Sequence, residues 1–206
     1  MKKEIELKGI TGPLASPPFP ATMVSPLMTA AKKPGSRRPV FDGSFGDLSL
    51  NSNTPEKEYL GELCNFSFPS VLDLAELVVK LGPGCLLWKR DLSRWYMQLP
   101  IDPGDYDKLA VVWRGAWFIF LSFIWGCRHA GFNVQRVSCA ILHILRLLSL
   151  DKFDEAYNAL VYIDDFAGAE HGEKAWEAFH DLGLLLEHLG ESKNKALPPS
   201  TRMLVL

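Results

Sequence analysis

Tyr162-Ile163-Asp164-Asp165 constrains this chain more than any other segment. Asn158 to Ile163 reads as a strand and Phe166 to Ala169 as its hairpin partner, so the two carboxylates fall at a tight strand-to-strand turn. Adjacent ionised carboxylates repel each other, and a fold tolerates them in water or next to a cation. Hard divalent ions such as Mg²⁺ take oxygen ligands and complete their shell with water and substrate phosphates. The plain alternative is a solvated Asp-Asp turn, because Asp is a common turn residue.

A second carboxylate sharpens the choice. Cys85-Leu86-Leu87-Trp88 reads as a short buried strand that runs into Asp91. If that strand neighbours Asn158–Ile163 in one sheet, Asp91 and Asp164 share an edge, and three acidic groups can hold two ions for a phosphoryl transfer. For Asp91 alone the competing reading is a salt bridge to Arg90 or Arg94.

Around these residues the chain alternates helices and strands. Residues 1 to 60 are rich in Pro, Gly and Asn, which predicts extended segments, loops and short edge strands. Ser70 caps a helix carrying Val71, Leu74, Leu77 and Val78 at helical spacing, and Gly82-Pro83-Gly84 stops it. Leu109 to Trp113 and Trp117 to Phe123 form a hairpin hinged at Arg114-Gly115. A helix is expected over Ala130 to Leu148, with Val137, Ile141, Ile144, Leu145 and Leu148 on its buried face. Another runs from about Glu173 to Leu189 and ends at Gly190, and Arg202 to Leu206 reads as a last strand. The order implies an antiparallel or mixed sheet with helices on one face, an α+β arrangement.

Composition excludes several classes. The 206 residues are 48% hydrophobic and 22% charged, which is ordinary for a folded domain and too apolar for a disordered chain. Twenty-two basic against 24 acidic side chains rule out a uniformly basic nucleic-acid coat but allow a local patch. Cys64, Cys85, Cys127 and Cys139 contain no CxxC pair, which argues against a zinc ribbon or disulfide scaffold. Nothing after Met1 resembles a signal peptide, and the greasiest run, Ala116 to Trp125, is too short to span a bilayer. A protein inside the cell, cytoplasmic or nuclear and without a membrane partner, is the expectation.

Five segments, in order, resemble the reverse transcriptase family. Lys32-Lys33-Pro34-Gly35-Ser36-Arg37-Arg38-Pro39-Val40-Phe41-Asp42 is similar to the family's fingers hairpin. Asp91-Leu92-Ser93-Arg94-Trp95-Tyr96-Met97-Gln98-Leu99-Pro100-Ile101 resembles the first catalytic segment of the polymerase palm. Phe123 to Gln135, with Trp125-Gly126 and Gly131-Phe132-Asn133-Val134-Gln135, is similar to the segment beneath template and nucleotide. Tyr162-Ile163-Asp164-Asp165 resembles the YxDD turn, and Leu189-Gly190 through Lys193, Lys195, Pro198-Pro199 and Met203-Leu204 resembles the stretch that ends in FLG. The wording around Trp88–Tyr96 and Trp125–Gly131 is most similar to DIRS-like and related animal retroelements.

The resemblance implies a right-hand polymerase fold of fingers and palm, the palm a ferredoxin-like antiparallel sheet with helices on one face. It puts a fingers-like segment and the first palm helix in 1–84, and the palm with interleaved fingers elements in 85–206. It implies an RNA-directed DNA polymerase that adds dNTPs to a primer on an RNA or DNA template. Asp91, Asp164 and Asp165 would hold two Mg²⁺ ions, with Mn²⁺ as a substitute. By the same resemblance Tyr96 is a steric gate against ribonucleotides. Arg38 and one of Lys32 or Lys33 contact the triphosphate. Gln135 helps hold template or nucleotide, and Lys195, or else Lys193, assists pyrophosphate departure. Trp95, Trp125, Cys127 and Gly131 depart from the family pattern without removing a carboxylate. Thumb, ribonuclease H and recombinase segments would lie outside these 206 residues. Two other readings stand beside this one: an inactive or incomplete retroelement remnant that at most binds nucleic acid, and a different two-metal nucleotidyl transferase such as a nucleotide cyclase.

Overall fold

Capping, turns and periodicity set most element boundaries. The computed structural model describes residues 2–56, 58–59, 61–63, 67–190 and 194–203, without the side chains of residues 32, 33, 36, 38, 59 and 194. In chain order the elements are α1 (Lys2–Glu6), β1 (Ile10–Leu14), β2 (Leu27–Lys33), β3 (Ser36–Phe41), β4 (Glu58–Tyr59), β5 (Glu62–Leu63), α2 (Val71–Leu81) and β6 (Cys85–Leu92). Then come α3 (Trp95–Gln98), a 3-10 helix (Pro103–Lys108), β7 (Ala110–Trp113), β8 (Ala116–Phe120), α4 (Ala130–Phe153), β9 (Ala159–Tyr162), β10 (Asp165–His171), α5 (Gly172–His188) and β11 (Asn194–Ser200). They divide into two compact units, Met1–Asn65 with Arg94–Phe132, and Phe66–Ser93 with Asn133–Leu206.

The first unit is built on an antiparallel sheet in the order β1-β8-β7. The predicted hairpin is present. Arg114 and Gly115 both take positive φ, 52° and 78°, the backbone that a two-residue hairpin turn requires. The core gathers Ile10, Phe41, Leu109, Val111, Phe118, Phe120 and Ile124, with Phe41 edge-on to Phe120 at 5.9 Å. Residues 1 to 60 are more regular than their turn formers suggested: β2 and β3 pair as an antiparallel hairpin. Pro39 fits there because a two-stranded ribbon has a free edge where a missing N–H breaks no ladder. Asn51 fastens the segment after β3: its Nδ2 donates to the Gly126 carbonyl at 2.6 Å and its Oδ1 accepts from Arg128 N at 2.8 Å. Gly126 has to be glycine, since its φ is +108° and a Cβ would stand 2.1 Å from the Phe41 carbonyl oxygen.

The second unit holds a four-stranded antiparallel sheet in the order β11-β6-β10-β9. α2 starts as expected, with a capping box in which Ser70 Oγ receives Asp73 N and Asp73 returns to Ser70 N at 2.6 Å. Trp88, Phe166 and Val161 are buried on one side of the sheet. Arg90, on that same side, stacks its guanidinium over Phe179 of α5 at 3.9 Å and donates to the Phe179 carbonyl. Pleating sends Lys89, Asp165, Ala167 and Leu160 to the other face, which they share with Leu74 of α2 around one cavity. Helices therefore lie on both faces of this sheet and not on one, because α2 has a single buried residue, Leu74, to seat on the second.

One further expectation is corrected. α4 runs on to Phe153, and the residues it buries are Ala130, Val134, Gln135, Ser138, Ile141, Leu142, Leu145 and Ser149. Val137, Ile144 and Leu148 are between 38% and 41% exposed, because the helix carries apolar residues around most of its circumference and two stripes fit the helical period. The last strand among the described residues is β11 at Asn194–Ser200, while most of the strand expected at 202–206 lies outside them. Pro198-Pro199 concealed β11, and an edge strand accommodates them with a register shift between Leu197 and Ser200. Among the described residues no helix is long and apolar enough to cross a membrane. Cys85, Cys127 and Cys139 are free thiols.

Candidate functional site

The strand order brings the carboxylates together by a different neighbour from the one expected. β6 pairs with β10, the second arm of the hairpin, and not with β9. Asp165 stands directly across from Asp91, Tyr162 across from Asp165, and Lys195 across from Asp91 on the far side. Directly opposed residues project from the same face, so Tyr162, Asp165, Asp91 and Lys195 form one row across four strands. Asp164 sits in the turn itself, and its carbonyl accepts from Leu92 N at 2.9 Å, which ties the turn to the end of β6.

That turn is strained and clamped. Ile163 has φ +56°, a left-handed backbone that a β-branched residue avoids at a cost of about 1–3 kcal/mol. Its own backbone is gripped from α4. Gln135 Oε1 accepts from Ile163 N, Gln135 Nε2 donates to the Val161 carbonyl at 2.7 Å, and Ser138 Oγ donates to the Ile163 carbonyl. Gln135 is 2% exposed and Ser138 fully buried. The structure thus places Gln135 beneath the Asp-Asp turn with both ends of its amide on backbone. It is a buried group bonded to backbone, and not an exposed polar group of the helix. Ser138 was missed in the sequence, although it lies three residues from Gln135 and so on the same helix face.

Electrostatically the turn is short of positive charge. Burial, reinforced by the charges of Asp165 and Asp91, pushes Asp164 up to about 6. Asp165 uses Oδ2 in an ion pair with Lys89 Nζ at 2.8 Å, while its Oδ1 is buried and has no hydrogen-bond partner. A carboxylate oxygen left without a donor, and a neighbouring acid whose charged form is disfavoured by burial and then by like charge, both fit a hard divalent cation. The three carboxylates are not already gathered as ligands: among the described residues no three Asp, Glu, His or Cys side chains are placed to hold one ion. Arg90 and Arg94, the alternative partners for Asp91, are engaged elsewhere, Arg90 on α5 and Arg94 with Glu4.

The remaining predicted residues fall in different places. Tyr96 belongs to the first unit, where it is 6% exposed and packs on Trp125 with ring centroids 4.8 Å apart. A Cβ at Gly131 would come to 3.3 Å from its hydroxyl, so the small residue at 131 leaves room for the ring. Tyr96, Trp125, Phe41, Phe120 and Leu27 line a cavity of about 240 Å³. Lys195 is exposed in β11. The side chains of Lys32, Lys33 and Arg38 lie outside the described residues, although their backbones form β2 and β3, and Lys193 lies outside them altogether.

The fold, with its mixed α/β composition and antiparallel sheets, is similar to that of solved reverse transcriptases. A foamy viral protease-reverse transcriptase in complex with double-stranded DNA superposes with a TM-score of 0.68 at 15% identity, over 89% of this chain and 27% of that one. The prototype foamy virus protease-reverse transcriptase gives a TM-score of 0.66 at 18% identity, over 91% of this chain and 21% of that one. A further foamy viral complex with double-stranded DNA gives 0.61 at 16% identity, over 90% of this chain and 33% of that one. This chain thus spans between about a fifth and a third of these proteins' lengths. No protein-family model and no curated protein matches its sequence, and the foamy viral neighbours lend no support to the narrower likeness to DIRS-like elements.

Proposed function

We propose that this chain is the fingers and palm of a template-directed DNA polymerase of the reverse transcriptase type, which joins a dNTP to a primer 3′-hydroxyl. The observation that carries the reading is the register of β6 on β10. It sets Asp91 opposite Asp165 and beside Asp164, at a turn held from below, in a fold shared with reverse transcriptases. Asp91 and Asp164 are the principal ligands for Mg²⁺ in this reading, with Asp165 supporting them. When bound, such ions neutralise the charge that develops on the reacting phosphates.

The chain's own residues supply placement. Gln135 and Ser138 fix the backbone of Ile163, immediately before Asp164, so that the Asp164 carboxylate is presented without loop reorganisation. Tyr96, backed by Trp125, presents a ring edge against a ribose 2′-hydroxyl. Arg38 with Lys32 or Lys33, on the β2–β3 hairpin, pairs with the triphosphate. Lys195, which lies across from Asp91 in the sheet, neutralises departing pyrophosphate in this reading. A primed RNA or DNA template is the macromolecular partner, held mainly through its phosphates, so binding weakens steeply with salt.

Primer extension on an RNA template with dNTPs and Mg²⁺ tests this, comparing the native chain with the Asp164→Asn/Asp165→Asn variant. Incorporation is expected from the first and not the second, and incorporation indifferent to the double change removes the metal assignment. A second reading is a catalytically inactive chain that at most binds nucleic acid, consistent with carboxylates that are not gathered as ligands among the described residues. Salt-sensitive template binding without incorporation, by folded protein, selects it.

A further inference from the structure

We infer that Lys89 is a resident counter-cation of the Asp-Asp turn, a positioning residue that holds Asp165 before any divalent ion arrives and lowers the site's affinity for one. The inference rests on the metal-site reading above. Lys89 precedes Asp91 by two residues on β6, so both project from the face that carries Asp165. Its Nζ is 2.8 Å from Asp165 Oδ2, in a pair whose side chains are only 17% and 34% exposed. At that depth the attraction exceeds that of a surface pair, and neither group is free to solvate independently.

The two oxygens of Asp165 are thereby divided. Oδ2 belongs to Lys89, and Oδ1 remains buried and without a donor. A divalent ion that recruits Asp165 does so through Oδ1, with the ammonium still on Oδ2, or else displaces Lys89. Both routes are open, because Lys89 and Asp165 line a cavity of about 260 Å³ with Tyr162 and Leu74. In either case the local charge is that of three carboxylates reduced by one ammonium. Asp165 is then a supporting group because Lys89 already satisfies half of it, while Asp91 and Asp164 are left to the ion.

The test is Mn²⁺ binding to the 206-residue chain without nucleic acid or dNTP, followed by electron paramagnetic resonance, together with the melting temperature of the metal-free protein. Lys89→Met keeps the aliphatic stem and removes the charge. It is expected to bind Mn²⁺ three- to tenfold more tightly and, without metal, to melt several degrees lower, with a larger upward shift on adding Mn²⁺. Lys89→Arg is expected to restore both native values. Lys89→Gln, which retains a donor, serves if Lys89→Met does not fold. Mn²⁺ affinity that is unchanged or weakened in the uncharged variants, but still abolished by Asp164→Asn, overturns the role of Lys89 and leaves the metal site standing. No Mn²⁺ binding by the native chain or any variant overturns both.

Discussion

Gln135 holds the strained backbone before the Asp-Asp turn from both ends of one buried amide. Replacing it by Ala strands the Ile163 N–H and the Val161 carbonyl in a buried setting, at about 1–3 kcal/mol for each group left unpaired. Urea denaturation of Gln135→Ala is expected to show a loss of about 2–4 kcal/mol, with catalysis falling further than stability accounts for. Asp164 gives a second prediction with a definite sign. Its folded value of about 6 lies above its ordinary 3.8, so the folded state holds a proton that the unfolded chain has already released. Metal-free protein therefore loses stability as pH rises from about 4 to 6, by on the order of 1–2 kcal/mol once solvent screening is allowed for. In Asp164→Asn that slope flattens, and melting curves taken across the window measure it. The Asp-Asp turn and Asp91 were legible in the sequence because adjacent carboxylates after a strand are conspicuous. Lys89 was not, since a lysine two residues before an aspartate has meaning only once β6 is known to lie beside β10.

At the scale of elements, the second unit's β6, β9, β10 and α2 were readable because their periods and caps agree. The Ser70 capping box is expected to contribute about 1 kcal/mol, so Ser70→Ala lowers the denaturation free energy by that amount and Ser70→Gly by less. Gly168 is a harder constraint. A Cβ there would stand 2.5 Å from the buried Trp88 ring and 2.8 Å from the Asn158 carbonyl oxygen just ahead of β9. Gly168→Ala is expected to cost about 1–3 kcal/mol and to alter the near-ultraviolet circular dichroism of Trp88. Where reading failed, one signal had two solutions or a strong breaker hid a weak strand. α4 offers two apolar stripes, and only the sheet beneath it selects the one with Val134, Ile141 and Leu145. Pro39 and Pro198-Pro199 look like loop residues, and they sit in strands only because each strand has a free edge.

For the whole molecule, the two units are interleaved along the chain, which passes from one to the other near residues 65, 93 and 132. No linear fragment therefore contains one whole unit without part of the other. The fragment 133–206 carries β9, β10 and β11 but not β6, the strand between β11 and β10. It is expected to lack sheet signal in circular dichroism and amide dispersion in nuclear magnetic resonance. The same topology has a consequence for synthesis. β6 ends at Leu92, while the strands that flank it, β10 and β11, end at His171 and Ser200. At about 5–20 residues per second, β6 leaves the ribosome on the order of 4 to 16 s before even β10 is complete. Through that interval a strand that will carry Asp91 has both edges open. Successful expression of this chain is thus a race between the arrival of its own late strands and capture by another copy's, and slower growth temperature or a holding chaperone should raise the soluble yield.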